Sequence, residues 1–354
     1  MINRIPRRLA RLALWGAVPA ALVACDSGTE VRNNAQRLEV IVNSTSNSLT
    51  LVSIDSVNPT VRTVSLGAQG TPVDAAAQGS FAVVPLGTYP FAAIVDLRTA
   101  TVSKTVALPA NSGATGAGFA NDSIAFVGNP DRGTVSPVNV RSGTVGAEVK
   151  VGTYPQSIVS GNGAVYVLNA NLVNFAPAGP GSVSVVNANG TVAATIPLSG
   201  INPTAGVLAG SRLVVINAGE FGKANGSLSV VNLATGKEET HATGFGEFPG
   251  AVDVGPDGNV YVGLYSRGIV IWNPSTGQFV RGPDNPVVPG GTLPISALRF
   301  DYAGRVHTLH PGNCAPGNPG KEYGFSVQVT TPERTITTGI CPFSIDFTVV
   351  TASN

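Results

Sequence analysis

The sequence predicts an all-β fold, and three observations support this prediction. The chain is rich in glycine and proline, with 43 and 26 residues of each, and in Val, Ala, Thr and Ser. This is the composition of many short strands with frequent turns. Lys, Glu and Leu seldom recur at helical spacing. A unit of four short strands also recurs along the chain, and such a repeat predicts a β-propeller.

Residues 203 to 244 show this unit most clearly. Their sequence is PTAGVLAGSRLVVINAGEFGKANGSLSVVNLATGKEETHATG. It contains a proline-led apolar run, a turn, the run RLVVIN, a polar loop, the run SLSVV, a second turn and a polar run. The pattern predicts four short strands joined by turns.

A proline marks the first strand of most units. These prolines are Pro72, Pro155, Pro203, Pro249, Pro294 and Pro342, and the last four intervals are 48, 46, 45 and 48 residues. The longer interval after Pro72 accommodates two units, with the proline-free GATGAGFANDS as the missing first strand. The sequence therefore predicts seven blades of four antiparallel strands.

The two ends of the repeat predict how the ring closes. The chain begins the repeat at a second strand, LEVIV near Val40, and ends it on a first strand, SIDFTVV near Ile345. We predict that the C-terminal strand pairs with the N-terminal blade and leaves no open edge. The predicted propeller covers residues 37 to 350, and residues 351 to 354 form a C-terminal tail.

Residues 1 to 24 are predicted to be an export signal. Four arginines lie in the first eleven residues, and they precede an apolar run of about eleven residues, too short to span a bilayer as a helix. The run ends in LVAC, which resembles the bacterial lipobox, in which the cysteine is lipidated. The cysteine here is Cys25. The alternative is an ordinary secreted protein with an unmodified cysteine.

The lipobox resemblance implies a chain anchored to the bacterial cell envelope, in a leaflet that the sequence leaves open. Residues 25 to 36 carry few apolar side chains and are predicted to form a lipidated flexible tether. The lipid bilayer is therefore one predicted partner, through Cys25. Positive and negative charges nearly balance, with 21 Lys and Arg against 20 Asp and Glu, which argues against nucleic-acid binding.

The order of motifs within each unit resembles the YVTN-type repeats of bacterial seven-bladed propellers. A second strand such as YVLN is followed by a loop and then by GSVSVVN or GSLSVVNLATG. The resemblance covers roughly residues 37 to 350. It implies the fold and no single function, because such propellers are similar to enzyme subunits, binding proteins and surface proteins alike. Pro85 and His310 depart from the pattern, since they stand where other units have Asn169 and Asn217.

The predicted strand order collects the long loops on one face. Connections from second to third strands, and from fourth strands to the next first strands, emerge together. We call this the long-loop face; its long loops are 169 to 181, 217 to 226, 281 to 294 and 310 to 324. Because functional residues favour loops on a rigid scaffold, we predict a binding site there. Its candidate residues are Asn43, Tyr89, Tyr154, Asn169, Phe175, Asn217, Phe221, Phe248 and His310, with Phe245 as a further aromatic residue.

Each set of candidates also has a purely structural interpretation. The asparagines can cap turns by bonding the backbone two residues on. The aromatic residues can shield loop backbone instead of anchoring an interface.

Two cysteines remain, Cys314 and Cys341. Export places them in an oxidising compartment, and the blade layout puts both on the long-loop face, so we predict a disulfide between them. The rival interpretation is a metal site formed by His307, His310 and Cys314. Residues three apart on a strand point to opposite faces, which disfavours that site.

Two functions from different classes remain. Asp74, Asp253 and Asp346 are the acidic residues on predicted innermost strands, where they either hold a metal as in a lactonase-like propeller or bond backbone amides of neighbouring blades. We favour the second, and predict no metal and no cofactor. The preferred function is a lipid-anchored binding or scaffold module that presents its long-loop face to an envelope protein, a glycan or a small ligand. The alternative is an exported enzyme or enzyme subunit, quinoprotein-like or lactonase-like, that uses the central pocket.

Overall fold

The computed structural model describes residues 35 to 56, 58 to 327 and 331 to 351. Over these ranges the chain forms seven antiparallel sheets of four or five strands, each of which is one blade, and one small two-stranded hairpin. The innermost strand of each blade contacts that of the next, and the last contacts the first, so the blades form a ring. This confirms the predicted seven-bladed β-propeller. The predicted export signal, Cys25 and nearly all of the tether lie outside the described residues, as do residues 352 to 354.

The strands are numbered in chain order. Blade 1 contains β1 (Gln36–Asn43), β2 (Ser48–Ser53) and β3 (Val61–Ser65). Blade 2 contains β4 (Ala76–Gln78), β5 (Phe81–Pro85), β6 (Phe91–Asp96) and β7 (Thr101–Ala107). Blade 3 contains β8 (Ala117–Phe119), β9 (Ile124–Asn129), β10 (Thr134–Asn139) and a split outer strand, β11 (Thr144–Val145) and β12 (Val149–Lys150).

Blade 4 contains β13 (Pro155–Ser160), β14 (Ala164–Asn169), β17 (Pro180–Asn187) and β18 (Val192–Ile201), with a small hairpin, β15 (Leu172–Val173) and β16 (Ala176–Pro177), in its long loop. Blade 5 contains β19 (Pro203–Ala209), β20 (Arg212–Asn217), β21 (Ser227–Asn232) and β22 (Lys237–Thr243). Blade 6 contains β23 (Pro249–Val254), β24 (Val260–Leu264), β25 (Gly268–Asn273) and β26 (Gln278–Arg281). Blade 7 contains β27 (Ala297–Phe300), β28 (Val306–His310), β29 (Lys321–Phe325) and β30 (Arg334–Thr337).

The last strand, β31 (Pro342–Val350), closes the ring. It pairs antiparallel with β1, with Ile41 opposite Ile345, and becomes the innermost strand of blade 1. The predicted closure is therefore confirmed. Two short 3-10 helices, Pro130–Arg132 and Pro289–Gly291, lie in connections between strands. No helix in the described ranges is long and apolar enough to cross a membrane.

The core consists of apolar layers between neighbouring blades. On β1, Leu38, Val40 and Val42 pack against blade 2, whereas Ile41 packs against blade 7. Both faces of the strand are therefore buried, which explains why the second strands are nearly continuous apolar runs.

Glycine at the start of the third strand is required by a close approach to the next blade. A side chain at Gly181 would overlap the ring of Pro203, and one at Gly226 would overlap Pro249. These prolines begin the first strands β19 and β23. The Gly-Ser at the start of the third strand and the proline at the start of the next first strand are thus two halves of one contact.

Candidate binding face

An asparagine ends the second strand of four blades and bonds to the third strand. Asn169 Nδ2 donates to the hydroxyl oxygens of Ser182 and Ser184, both at 3.0 Å. Its Oδ1 accepts a hydrogen bond from the backbone N–H of Gly152 at 3.1 Å. Asn43, Asn129 and Asn217 each donate to the corresponding pair of hydroxyls in their own blades.

These amides belong to the framework of the blades. The exposed fractions of Asn43, Asn169 and Asn217 are 0%, 1% and 0%. Their partners are mainly side-chain hydroxyls on the third strand, not the backbone two residues on as in a turn cap. They begin loops of the long-loop face, as predicted, but contribute no surface to it.

His310 takes the place of the asparagine in blade 7 and is also buried. Its Nε2 lies 2.9 Å from Thr308 Oγ1, and its ring lies 4.5 Å from that of Tyr323. Burial lowers the pKa of His310 to about 4, so the imidazole is neutral at neutral pH.

The exposed part of the face carries two aromatic pairs. The ring centroids of Tyr154 and Phe175 lie 6.2 Å apart, and those of Phe221 and Phe248 lie 5.9 Å apart, both edge to face. Phe175 is 81% exposed and Phe221 is 89% exposed. Tyr89 is half-buried, and its ring stacks on that of Phe91 with the centroids 4.4 Å apart. Four of the five aromatic candidates therefore form two exposed clusters on neighbouring blades.

Phe245 is a correction to the predicted face. It is fully buried, with its ring 4.9 Å from that of Phe279 and 6.4 Å from that of Trp272. It belongs to the apolar layer between blades 5 and 6. The burial of Phe245 could not be predicted from the sequence, because the residue lies in a loop next to a polar segment.

The loop of blade 4 forms a projecting hairpin, which we call the finger (residues 170 to 181). β15 and β16 pair in it, with Val173 opposite Ala176. The two turn residues, Asn174 and Phe175, have φ values of 51° and 61°. A two-residue turn with positive φ at both positions favours Asn-Gly, so phenylalanine at the second position is strained. The fold does not require an exposed aromatic side chain there.

The residue before the first-strand proline also adopts a left-handed conformation in four blades. Its φ is 56° at Tyr154, 57° at Asn202, 48° at Phe248 and 60° at Cys341. All four contact a long loop of the same face: Tyr154, Phe248 and Cys341 through a side chain of the loop, and Asn202 through hydrogen bonds to the backbone of the 217 to 226 loop. With Phe175, three of the four aromatic residues in the exposed pairs thus sit at backbone positions that bulky side chains rarely occupy.

The predicted disulfide between Cys314 and Cys341 is present. Cys314 lies in the long loop of blade 7, and Cys341 immediately precedes the proline of the next first strand. Phe221 and Phe248 hold the equivalent positions in blades 5 and 6. The disulfide is therefore a covalent version of the contact that the second aromatic pair makes by packing.

The three acidic residues, Asp253 and Asp346 on innermost strands and Asp74 just before one, tie neighbouring blades together, as predicted. Each carboxylate accepts a hydrogen bond from a backbone N–H of the following blade. The donors are the N–H groups of Ala77 to Asp346 at 2.9 Å, of Ala117 to Asp74 at 3.3 Å and of Phe300 to Asp253 at 2.8 Å. These bonds occupy carboxylate oxygens with backbone donors.

The channel carboxylates also interact with one another and with one cation. Ser344 Oγ donates to Asp74 Oδ1 at 2.7 Å, and Arg299 Nη2 lies 3.3 Å from Asp346 Oδ1. Burial raises the pKa of Asp74 to about 6 and also raises the pKa of Asp253. The arrangement stiffens the ring around its axis.

A buried charge cluster lies between blades 7 and 1. We use this name for Glu39, Asp301, His307, Glu322 and Arg334, which come from strands or turns on both sides of the closure. His307 Nδ1 donates to Glu322 Oε1 at 2.7 Å, and its Nε2 lies 3.2 Å from Asp301 Oδ2. Arg334 Nη2 donates to Glu39 Oε2 and, at 3.1 Å, to Glu322 Oε1.

Proximity strongly shifts the pKa values in this cluster. Burial alone lowers the pKa of His307, but the carboxylates of Asp301, Glu322 and Glu39 outweigh it and raise the pKa to about 9. Burial, assisted by the charge of Glu322, raises the pKa of Glu39 to about 7. His307 is therefore protonated at neutral pH and acts as a second cation beside Arg334.

The cluster resembles a metal site in spacing. Single ligand atoms of Glu39, His307 and Glu322 all lie within 4.8 Å of one another. Arg334 Nη2 lies within hydrogen-bond distance of all three, however, at 2.9 Å from His307 Nδ1 and 3.1 Å from Glu322 Oε1, and supplies positive charge there. Sequence reasoning missed this cluster; its signal was a glutamate within the apolar run LEVIV and a histidine within VHTL.

The rejected His307–His310–Cys314 site is absent from the described residues as a unit. His307 faces the closing blade, His310 bonds Thr308 on the opposite face of the strand, and Cys314 is disulfide-bonded. The sequence argument from strand alternation was correct here.

Comparison with known proteins supports the fold and leaves the function open. No known family matches the sequence, and no curated protein matches it. Among solved structures the chain is similar to the hydrazine synthase of Kuenenia stuttgartiensis, with a TM-score of 0.61 and 15% identity over 80% of this chain and 96% of that chain. In all, 1352 chains match, so the architecture is too widespread to indicate a ligand.

Proposed function

We propose that the protein is a YVTN-type propeller lipoprotein of the bacterial cell envelope that acts as a binding or scaffold module through its long-loop face. Lipidation of Cys25 anchors it to the bilayer. The exposed aromatic pairs engage an envelope component, an envelope protein or a glycan being the partners that the sequence favours.

The observation that carries this proposal is the strained and exposed position of Phe175. Glycine is the residue that its left-handed turn position favours, and packing does not account for a side chain that is 81% exposed. Strained residues persist where the surrounding structure holds them, and they cluster at functional sites. A ring at the tip of a finger on a rigid blade is suited to contact another surface.

The second aromatic pair supports the same interpretation. Phe221 is more exposed than Phe175, although its partner Phe248 is packed more deeply. Large exposed apolar side chains that lie near one another mark interaction surfaces, and aromatic residues are common anchors at interfaces.

The experiment is site-specific photo-crosslinking in living cells. Phe175 is replaced with p-benzoyl-L-phenylalanine, which keeps an aromatic ring at the tip of the finger. The matched control carries the same replacement at Tyr302, which is 52% exposed between β27 and β28 on the opposite face. After irradiation, adducts are purified through the propeller and identified by mass.

We expect a discrete adduct with an envelope component from position 175 and none from position 302. Equal labelling from both positions, or none from either, would contradict a binding role for the long-loop face. Globomycin treatment, which blocks processing of lipoproteins, tests the anchor separately: unprocessed precursor is expected to accumulate.

A further inference from the structure

The exposed tips of the long-loop face are free of net charge. The finger contains no Asp, Glu, Lys, Arg or His, and Val173 and Phe175 at its end are strongly exposed. In the neighbouring loop, which carries Phe221, Lys223 forms an ion pair with Glu220. The finger tip therefore presents apolar surface with no charged side chain, and the Phe221 tip presents an exposed ring beside a paired Lys223 and Glu220 with no net charge.

The finger also satisfies much of its own backbone. The N–H of Ala178 donates to the carbonyl of Asn171 at 2.9 Å, and the N–H of Asn171 donates to the carbonyl of Thr153 at 3.0 Å. The side-chain amide of Asn171 donates to the carbonyl of Pro180 at 3.1 Å. A segment that enters a region poor in water must meet this condition, because lipid offers its polar groups no partners.

We propose that Phe175 and Phe221 insert into the interfacial region of the lipid bilayer that carries the anchor. This inference rests on the proposed function and deepens it, because it names the bilayer as the first surface that the long-loop face contacts. Glu247 is exposed beside Phe248. Because its carboxylate stays in water, it limits the insertion to the two tips.

The strength of the contact suits an anchored protein. A pair of rings without a basic cluster binds a membrane weakly by itself, since stable attachment takes a second signal. An anchor makes the contact intramolecular, with an effective concentration of about 1 mM for a short flexible linker. The rings then orient the propeller on the bilayer instead of recruiting it.

The tether is long enough to bring Cys25 to the level of the long-loop face. β1 runs toward the long-loop face, so the chain reaches it from the opposite face. Ten residues separate Cys25 from Gln36, and fully extended they span at most about 35 Å. The eight residues of β1 rise about 26 Å, so the tether can pass along the height of the blade.

A protein groove is the other class of surface that accepts exposed phenylalanine. The observations favour the bilayer, because the tips are convex and carry no net charge, whereas protein interfaces usually place polar groups around their apolar centre. A protein partner is therefore one of the outcomes that the test must separate.

Tryptophan fluorescence provides the test. The sequence has two tryptophans; Trp15 lies in the predicted export signal, and Trp272 is 2% exposed. Phe175→Trp places a reporter at the finger tip. Tyr302→Trp is the matched reporter on the opposite face. The exported full chain is reconstituted into phosphatidylcholine vesicles with or without brominated acyl chains, which quench tryptophan on contact.

We expect bromination to reduce the emission of the Phe175→Trp protein and to leave that of the Tyr302→Trp protein unchanged. Phe221→Trp reports from the second tip if the first variant folds poorly. Added phosphatidylglycerol should have no effect, since the tips lack a basic cluster.

Three results would overturn the inference: vesicle-bound protein without quenching at either tip, equal quenching at Tyr302→Trp, or no association with vesicles. A cross-link from position 175 to a protein or glycan, without quenching, would contradict membrane insertion and leave the proposed binding function intact. If neither a cross-link nor quenching is observed, the proposed function is contradicted as well.

Discussion

Arg334, on the outermost strand of blade 7, donates a hydrogen bond to Glu39 on β1 of blade 1, 295 residues away in the sequence. This contact lies in the layer where the two ends of the propeller meet. The layer is held by the pairing of β1 with β31, by the disulfide near the start of β31, and by the buried charge cluster. Ring closure is therefore the point where changes of charge should have the largest effect on stability.

Removing the arginine of the cluster should destabilise the fold. Arg334→Ala is expected to lower the free energy of unfolding by about 3 to 5 kcal/mol, because it leaves buried carboxylates uncompensated. Arg212→Ala removes a largely exposed ion pair with Glu239 and should cost less than about 1 kcal/mol. Urea denaturation measures both. Similar small losses for the two variants would show that the cluster does not hold the ring.

The stability should fall on the alkaline side of neutrality. The pKa of His307 is raised from 6.5 to about 9, because the nearby carboxylates outweigh its burial. A group with a raised folded pKa stabilises fully below its unfolded pKa, and this stabilisation is lost as the pH rises through the folded value. The pKa of Glu39 is raised from 4.5 to about 7. Its contribution to stability is therefore also lost as the pH rises, but at lower pH than that of His307.

The free energy of unfolding between pH 6.5 and 9 is the measurement for this prediction. It should decline in the wild type and decline less in His307→Gln, which cannot carry the proton. A wild-type stability that is flat or rises over this range would contradict the assignment of a charged His307.

The disulfide should contribute to closure as well. The cysteines are 27 residues apart, and cross-linking a loop of that length is worth about 3 to 4 kcal/mol by the chain-entropy estimate. The double variant Cys314→Ser, Cys341→Ser should unfold at correspondingly lower urea, and a reductant should affect the wild type only. Unchanged stability in the double variant would show that the native contact adds no constraint.

The asparagine that ends a second strand should be a strong stability determinant. Asn169→Ala removes the donor for two hydroxyls and the acceptor for Gly152, and unsatisfied buried groups cost about 1 to 3 kcal/mol each. We expect a loss of about 2 to 4 kcal/mol. Asn162→Ala, at an exposed turn position, is the control with little expected change. A cost for Asn169→Ala no greater than that of the control would refute its framework role.

Much of the fold was predictable because it rests on local and periodic signals. Proline landmarks, Gly-Ser starts and continuous apolar runs mark each blade, and the contact between Gly181 and Pro203 explains why two of these signals recur together. The closure by β31 followed from the strand type at each end of the repeat. The link between Cys314 and Cys341 followed from their common face.

The site was less predictable, because burial and backbone strain depend on tertiary contacts. Asn169 and Phe175 lie in the same loop region of the sequence, yet one is buried within the blade and the other projects into solvent. Phe245 and Phe248 lie three residues apart and also differ in burial. The charge cluster was missed because Glu39 and Arg334 meet only when the ring closes.

The central claim is that Phe175 serves binding and not folding. Phe175→Gly relieves a left-handed turn position that glycine favours and loses one edge-to-face contact with Tyr154, which is worth about 0.5 to 1.5 kcal/mol. The fold should therefore stay within about 1 kcal/mol of the wild type. A photo-crosslinker at Phe221 reports binding by the same face in this variant.

The decisive measurement is the cross-linking yield of the Phe175→Gly variant, taken together with its free energy of unfolding. The proposal predicts wild-type stability and a strongly reduced yield. A yield equal to that of the wild type would contradict the binding role, and a stability loss of several kcal/mol would contradict it by making Phe175 a structural residue.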